Sequence, residues 1–143
     1  MRKIMILNGP NLNRLGSREP DVYGTDTLDD IAGQLHRQGA ALGLEVDLRQ
    51  SNHEGHLIDW LHEAADTGCA AVILNAGGFT HTSVALRDAI AAIAVPVIEV
   101  HLSNPAARES FRRRSLIAGV CAGSISGFGA RSYALALDAS AHL

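Results

Sequence analysis

Groups able to move protons or hold a small anion gather in four short segments: Asn8-Gly9-Pro10-Asn11, Arg18 to Tyr23, Asn75 to His81, and Glu99-Val100-His101-Leu102-Ser103. Glu99 stands two residues before His101, and in an extended strand such residues share a face, so the carboxylate can orient the imidazole by a hydrogen bond. Leu102 and Ser103 precede Asn104-Pro105, a cap followed by proline that reads as the start of a helix. The free N–H groups and dipole at such a start suit a carboxylate. His81 follows Gly77-Gly78, where the missing side chains let backbone approach a ligand closely. In contrast, His36, His53, His56, His62 and His142 fall on helix faces, in a loop or in the tail, where solvation is their expected lot. Within Arg112-Arg113-Arg114, helical geometry spreads the three side chains by about 100° each. Only Arg112, or a neighbour four residues away such as Arg108, can then share a face toward a crevice.

These segments need a frame. Runs rich in Ile, Val and Leu at 3–8, 44–49, 70–75, 95–101 and 119–126 read as strands. Between them, Leu28, Ile31, Leu35 and Leu42 line one helix face after a Thr27 cap, and Leu57, Ile58, Leu61 and Ala65 line another. A third helix follows Thr82, and a fourth is expected from Asn104. Strands alternating with helices imply a parallel sheet covered on both faces. Five strands suggest a flavodoxin-like α/β three-layer sandwich of order 2-1-3-4-5, in which ligands bind beyond the carboxyl ends of the strands. The polar segments lie at those ends. The connection from about residue 9 to 24 is far longer than the two to six residues usual for such a turn, and its position makes it a candidate lid.

At 143 residues and 47% hydrophobic content, the chain is expected to be one domain with its own core. Cys69 and Cys121 have no metal-type spacing and are expected to be reduced and buried. The N-terminal apolar run is too short for a secretory signal, and no run could span a bilayer, so a cytoplasmic protein is expected. A net charge of -3 leaves no footprint for nucleic acid. Neither GxGxxG nor a Walker loop is present, and no histidine is spaced with cysteine or carboxylate as metal ligands are. No cofactor and no metal are expected. Trp60 reads as core or interface packing.

Taken together, Asn8 to Gly16, Arg18-Glu19-Pro20, Tyr23-Gly24, Asn75 to Ala89 and Glu99 to Asn104 resemble, in the same order, the motifs of the type II 3-dehydroquinate dehydratases. The resemblance extends through Ala107 to Arg112 and a Gly-rich final strand ending at Tyr133 to Leu137, and so covers essentially the whole chain. Departures fall in Cys121 to Phe128 and Ala130 to Ser132. The resemblance implies anti elimination of water from 3-dehydroquinate through an enolate, giving 3-dehydroshikimate, in the shikimate pathway or in quinate catabolism. It makes Tyr23 the base, assisted by Arg18, and His101 the acid, oriented by Glu99. Asn11 would hold a water against the enolate, while Asn75 and the Leu102-Ser103 backbone would hold the substrate carboxylate. His81, Arg112 and Asp88 match positions that bind ring hydroxyls. Asp88 would reach a neighbouring subunit's site within a trimer, and four trimers would form a dodecamer.

Elementary chemistry tests that implication. An ordinary phenol ionises near pH 10, so a tyrosine base needs a close cation to favour its phenolate. The other route to this elimination, a lysine imine, has one candidate, Lys3, at the start of the first strand and thus at the wrong end of the sheet. The rival reading is a flavodoxin-like module that binds a small carboxylate without catalysis. Strand one, however, ends in Asn8 rather than in acidic residues suited to magnesium or phosphoryl chemistry.

Overall fold

A computed structural model describes residues 1–143 as a five-stranded, all-parallel sheet of order β2-β1-β3-β4-β5. Its strands are β1 (Arg2–Asn8), β2 (Leu44–Gln50), β3 (Ala71–Asn75), β4 (Val97–His101) and β5 (Gly123–Ser126). The helices are α1 (Pro20–Tyr23), α2 (Leu28–Ala41), α3 (Glu54–Asp66), α4 (Val84–Ala92) and α5 (Arg131–Ser140). Strand alternation divides the core in two. Ile4, Ile6, Ile73, Ile98 and Val100 face Ile31 and Leu35 of α2 and Tyr133, Ala136 and Leu137 of α5. Met5, Leu7, Val72, Leu74 and Val97 face Leu57 and Leu61 of α3 and Leu86 and Ile90 of α4. Burial on both sides explains why the strands read as continuous apolar runs rather than alternating ones. No helix is long and apolar enough to cross a membrane.

Local chemistry sets the helix starts. Thr27 and Asp30 form a reciprocal capping box at α2, with the Asp30 N–H donating to Thr27 Oγ1 (3.1 Å) and the Thr27 N–H to Asp30 Oδ2 (3.0 Å). At α4 the cap is Ser83, whose Oγ accepts from the Leu86 N–H at 2.9 Å. In-register pairing then sets Asn8 of β1 beside Asn75 of β3, and His101 of β4 beside Ser126 of β5. The polar residues that end these strands therefore share one rim of the sheet. Gly9 follows Asn8 there because a Cβ would come within 2.5 Å of the Ala76 carbonyl oxygen.

Several expectations are corrected. The segment from Asn104 is not an α-helix but two isolated 3-10 turns, Pro105–Ala107 and Ser110–Arg112. Asn104 does cap the first, accepting from the Ala106 N–H at 3.2 Å. Beyond it no apolar stripe follows, since Phe111 is exposed and its neighbours are charged or polar, and Arg108 turns to an extended conformation. The stretch Tyr133 to Leu137 is helix α5 rather than the end of a strand. Tyr133, Ala136, Leu137 and Ser140 recur at spacings of three and four and bury one face. Strands β4 and β5 are shorter than 95–101 and 119–126, the latter because Ala118–Val120 is a 3-10 turn. Cys69 is buried as expected, Cys121 only partly, and both are free thiols. Trp60 is partly buried, with the Arg49 guanidinium 5.6 Å from its ring centre.

Candidate active site

The rim of β4 carries a histidine locked by a buried carboxylate. His101 Nε2 donates to Glu99 Oε2 at 2.6 Å, and Ser115 Oγ lies 3.0 Å from each oxygen of the same carboxylate. Glu99 is 2% exposed, so its charge depends on these donors for the solvation it has lost. Because a carboxylate only accepts, Nε2 carries a hydrogen, and Nδ1 is the ring nitrogen left free of partners within the chain. Ser115 is itself fixed, its Oγ accepting from the N–H groups of Ile117 and Ala118. Burial, and secondarily the charge of Glu99, push the nearby Cys121 thiol up to about 12.

Opposite this wall stands the segment between β1 and α2. Asn11 sits in the left-handed region at φ 71°, a conformation uncommon for a residue other than glycine, and its N–H donates to Asn52 Oδ1 at 3.0 Å. Pro20 begins α1 and Tyr23 ends it, before Gly24 at φ 86°. The guanidinium of Arg18 lies 4.7 Å from the Tyr23 ring centre, and that of Arg108 lies 5.2 Å from it. Two cations thus flank one phenol ring. Arg108 also donates to Ser103 Oγ at 3.3 Å, which ties the loop after β4 to the tyrosine.

Between the two walls lies an open cavity of about 180 Å³. Its lining includes Asn11, Arg18, Tyr23, Asn75, His81, His101, Leu102, Ser103, Arg108 and Arg112, with three arginines and no acidic residue. The charged side chains that line the cavity of this chain of net charge -3 are thus all arginines, with Glu19 and Glu109 pairing with them from outside the lining. His81 Nδ1 meets the Arg114 carbonyl at 2.8 Å, and since a carbonyl only accepts, Nε2 is the nitrogen free to accept from a ligand. Arg112 is held by Glu109 Oε1 at 3.1 Å. Glu109's carboxyl lies below its ordinary value, first through a backbone hydrogen bond and then through Arg112.

The cavity thus brings together every residue expected at the site except two. Glu99 stands behind His101, and Asp88 is exposed on α4, outside the cavity lining. A helix start after Ser103 does not supply the expected anion site, because no helix begins there. In sequence Arg108 is only an alternative to Arg112 for a place on the crevice face, yet both line the cavity. Ser115 and Tyr133 were missed. Ser115 lies in an irregular segment 16 residues from Glu99, where no periodicity connects them. Tyr133 is fully buried on α5, its hydroxyl between Asn8 and Asn75.

Residues 2–141 match the model of the dehydroquinase class II family. The chain belongs to this family. A 3-dehydroquinate dehydratase of Rhizobium johnstonii is 59% identical over 136 residues, covering 95% of this chain and 93% of its own. One from Bacillus licheniformis is also 59% identical, over 96% of this chain and 94% of its own. The crystal structure of type II dehydroquinase from Propionibacterium acnes superposes with a TM-score of 0.96 at 44% identity, covering 100% of this chain and 98% of that one. As a class II dehydroquinase the chain is an enzyme, and the Tyr23–His101 cavity is the place to look for its chemistry. Lys3, its one lysine, starts β1 and pairs with Asp47 at 3.4 Å. Five strand residues, or about 16 Å, separate it from the rim, so a lysine imine has no place in the cavity.

Proposed function

We propose that this enzyme eliminates water from 3-dehydroquinate to give 3-dehydroshikimate, a step of the shikimate pathway or of quinate breakdown, with Tyr23 as base and His101 as acid. The observation that carries the reading is the pairing of two proton-transfer groups in one arginine-lined cavity: Tyr23 with the guanidiniums of Arg18 and Arg108 near its ring, and His101 backed by buried Glu99. In this reading Tyr23 acts as the phenolate and takes the proton from the carbon beside the substrate ketone. The electron pair moves into an enolate, against which Asn11 holds a water. Return of that pair forms the carbon–carbon double bond and expels the β-hydroxyl. His101 gives that hydroxyl its proton, and it leaves as water.

Binding follows from the same lining. The substrate carboxylate goes to Asn75 and to the backbone of Leu102 and Ser103. Ring hydroxyls go to His81, through its accepting Nε2, and to Arg112. Residues 9–24 act as a lid over the substrate, anchored in the core by Leu12 and Leu15, while Arg18 has no side-chain partner but Glu19 and the Tyr23 ring. Asp88, outside its own cavity, completes a neighbour's site in a trimer, and trimers assemble into a dodecamer. Light scattering checks that assembly, and a monomeric mass would contradict it together with the shared place of Asp88.

The reaction is tested by ultraviolet absorbance on mixing metal-stripped protein with 3-dehydroquinate. A conjugated enone is a chromophore that the substrate lacks. Absorbance that rises with wild type and not with Tyr23→Phe supports the reading, whereas a flat trace from folded wild-type protein would leave a carboxylate-binding module in its place.

A further inference from the structure

We infer that buried Tyr133 is a positioning residue that fixes the side-chain amide of Asn75 with an N–H toward the cavity, and so sets the enzyme's affinity for the substrate carboxylate. The inference rests on the proposal above that Asn75 holds that carboxylate.

Hydrogen-bond direction fixes the amide. Asn8 Nδ2 donates to the Arg49 carbonyl at 3.1 Å, so Asn8 turns its Oδ1 to the phenol, and Oδ1 only accepts. Tyr133 therefore spends its one hydrogen on Asn8, at 2.5 Å. At its other contact, 2.9 Å from Asn75, the phenol oxygen has only a lone pair to offer, and Asn75 must present Nδ2. The Gly77 N–H closes the chain from the far side, donating to Asn75 Oδ1 at 3.2 Å. Every group then points one way, and the second N–H of Asn75, in a residue that lines the cavity, has no partner within the chain. An amide turned over would set its oxygen toward the phenol oxygen, and two acceptors with one committed hydrogen between them repel.

Tyr133 suits this task because it cannot change state. It is fully buried, and burial pushes its hydroxyl well above the ordinary range for tyrosine, so it stays a neutral donor at any working pH. Neither Tyr133 nor Asn8 lines the cavity. Both act on a ligand only through Asn75.

Steady-state kinetics with 3-dehydroquinate on Tyr133→Phe, Asn75→Ala and the double variant test the inference. The expected result is a KM raised about tenfold by Tyr133→Phe with kcat within twofold of wild type, and no further rise when it is added to Asn75→Ala. A merely structural loss would lower the folded fraction and hence the apparent kcat while leaving KM unchanged. Unchanged KM in Tyr133→Phe alongside a raised KM in Asn75→Ala would overturn the inference alone. Unchanged KM in Asn75→Ala would overturn the carboxylate reading, and the inference with it. Equal rises from Tyr133→Phe in both backgrounds would show that it acts elsewhere. Should Tyr133→Phe fail to fold, Asn8→Leu supplies the same test: it frees the phenol hydrogen for Asn75 Oδ1, and the amide can turn over. KM must rise in this variant too, and an unchanged KM would refute the inference.

Discussion

The two walls of the cavity are built on opposite plans. On the strand side, Asn75, Glu99 and His101 end β3 and β4, and each has partners within the chain that dictate its orientation. On the loop side the segment is anchored by Leu12 and Leu15 in the core, but no side-chain hydrogen bond orients Arg18 or Tyr23, which have ring–cation contacts near 5 Å, packing of Tyr23 against the core edge and an exposed ion pair of Arg18 with Glu19 at 3.7 Å. The difference teaches which groups need fixed geometry and which need freedom to enclose a ligand. In the proposed mechanism His101 is the general acid, which is useful only if its ring points at the leaving group, and the Glu99 carboxylate behind it is buried and doubly supported. In the same proposal the base, Tyr23, is carried on a lid and is brought to its proton when the substrate is bound.

The largest expected effect breaks the loop wall at its chemical group. Tyr23→Phe removes a hydroxyl that makes no hydrogen bond within the chain, so thermal unfolding is expected to stay unchanged while kcat falls by about 10³-fold, the scale of a lost general base. On the strand wall, Glu99→Gln keeps the shape and removes the charge behind His101. It is expected to lower kcat by about 10²-fold, within the range for proton-transfer groups, and also to lower the melting temperature, because Ser115 and His101 lose an ionised acceptor. That paired loss of activity and stability, against the activity-only loss in Tyr23→Phe, is what the comparison of walls predicts.

Arg108→Ala sharpens the comparison, since Arg108 joins the walls through Tyr23 and Ser103. A fall in kcat/KM of roughly tenfold is expected, equivalent to about 1.4 kcal/mol. Smallest is an effect that should spare the site altogether. The Arg49 guanidinium beside Asp47, helped by Lys3, holds the Asp47 carboxyl below its usual value on edge strand β2. A carboxyl depressed in the folded state contributes stability above its unfolded value near 3.9, and that contribution is lost as pH falls through the folded value. Asp47→Asn is therefore expected to cost about 1 kcal/mol or less at pH 7. The gap from wild type should close in unfolding curves taken at progressively lower pH, below about 4, with kcat unchanged at pH 7.

How much of this could be read from the residues follows from the physics of each part. The sheet was legible because strands buried on both faces must be apolar throughout, and α2 because Thr27 caps it in sequence as in space, ahead of a recurring apolar face. Strand-end residues were legible because topology alone puts them on the binding rim. Helix α5 was not, since Ala130 offers no side-chain cap and the preceding Gly127 and Gly129 continue a glycine-rich strand pattern. The segment after Asn104 misled in the opposite direction, with a real cap and no apolar face behind it. Ser115 and Tyr133 act through contacts spanning 16 and 58 residues, from irregular chain and from a misread helix, and no local pattern carries such pairings.

Division of labour between Tyr23 and His101 is the central claim, and proton exchange in deuterated water separates the two steps. Folded His101→Ala protein, incubated there with 3-dehydroquinate, is expected to incorporate deuterium at the carbon beside the ketone faster than it forms product, because the base works while the leaving group waits for its proton. Tyr23→Phe is expected to do neither. Deuterium incorporation by Tyr23→Phe at the wild-type rate would contradict the account, since some other group would then be removing the proton.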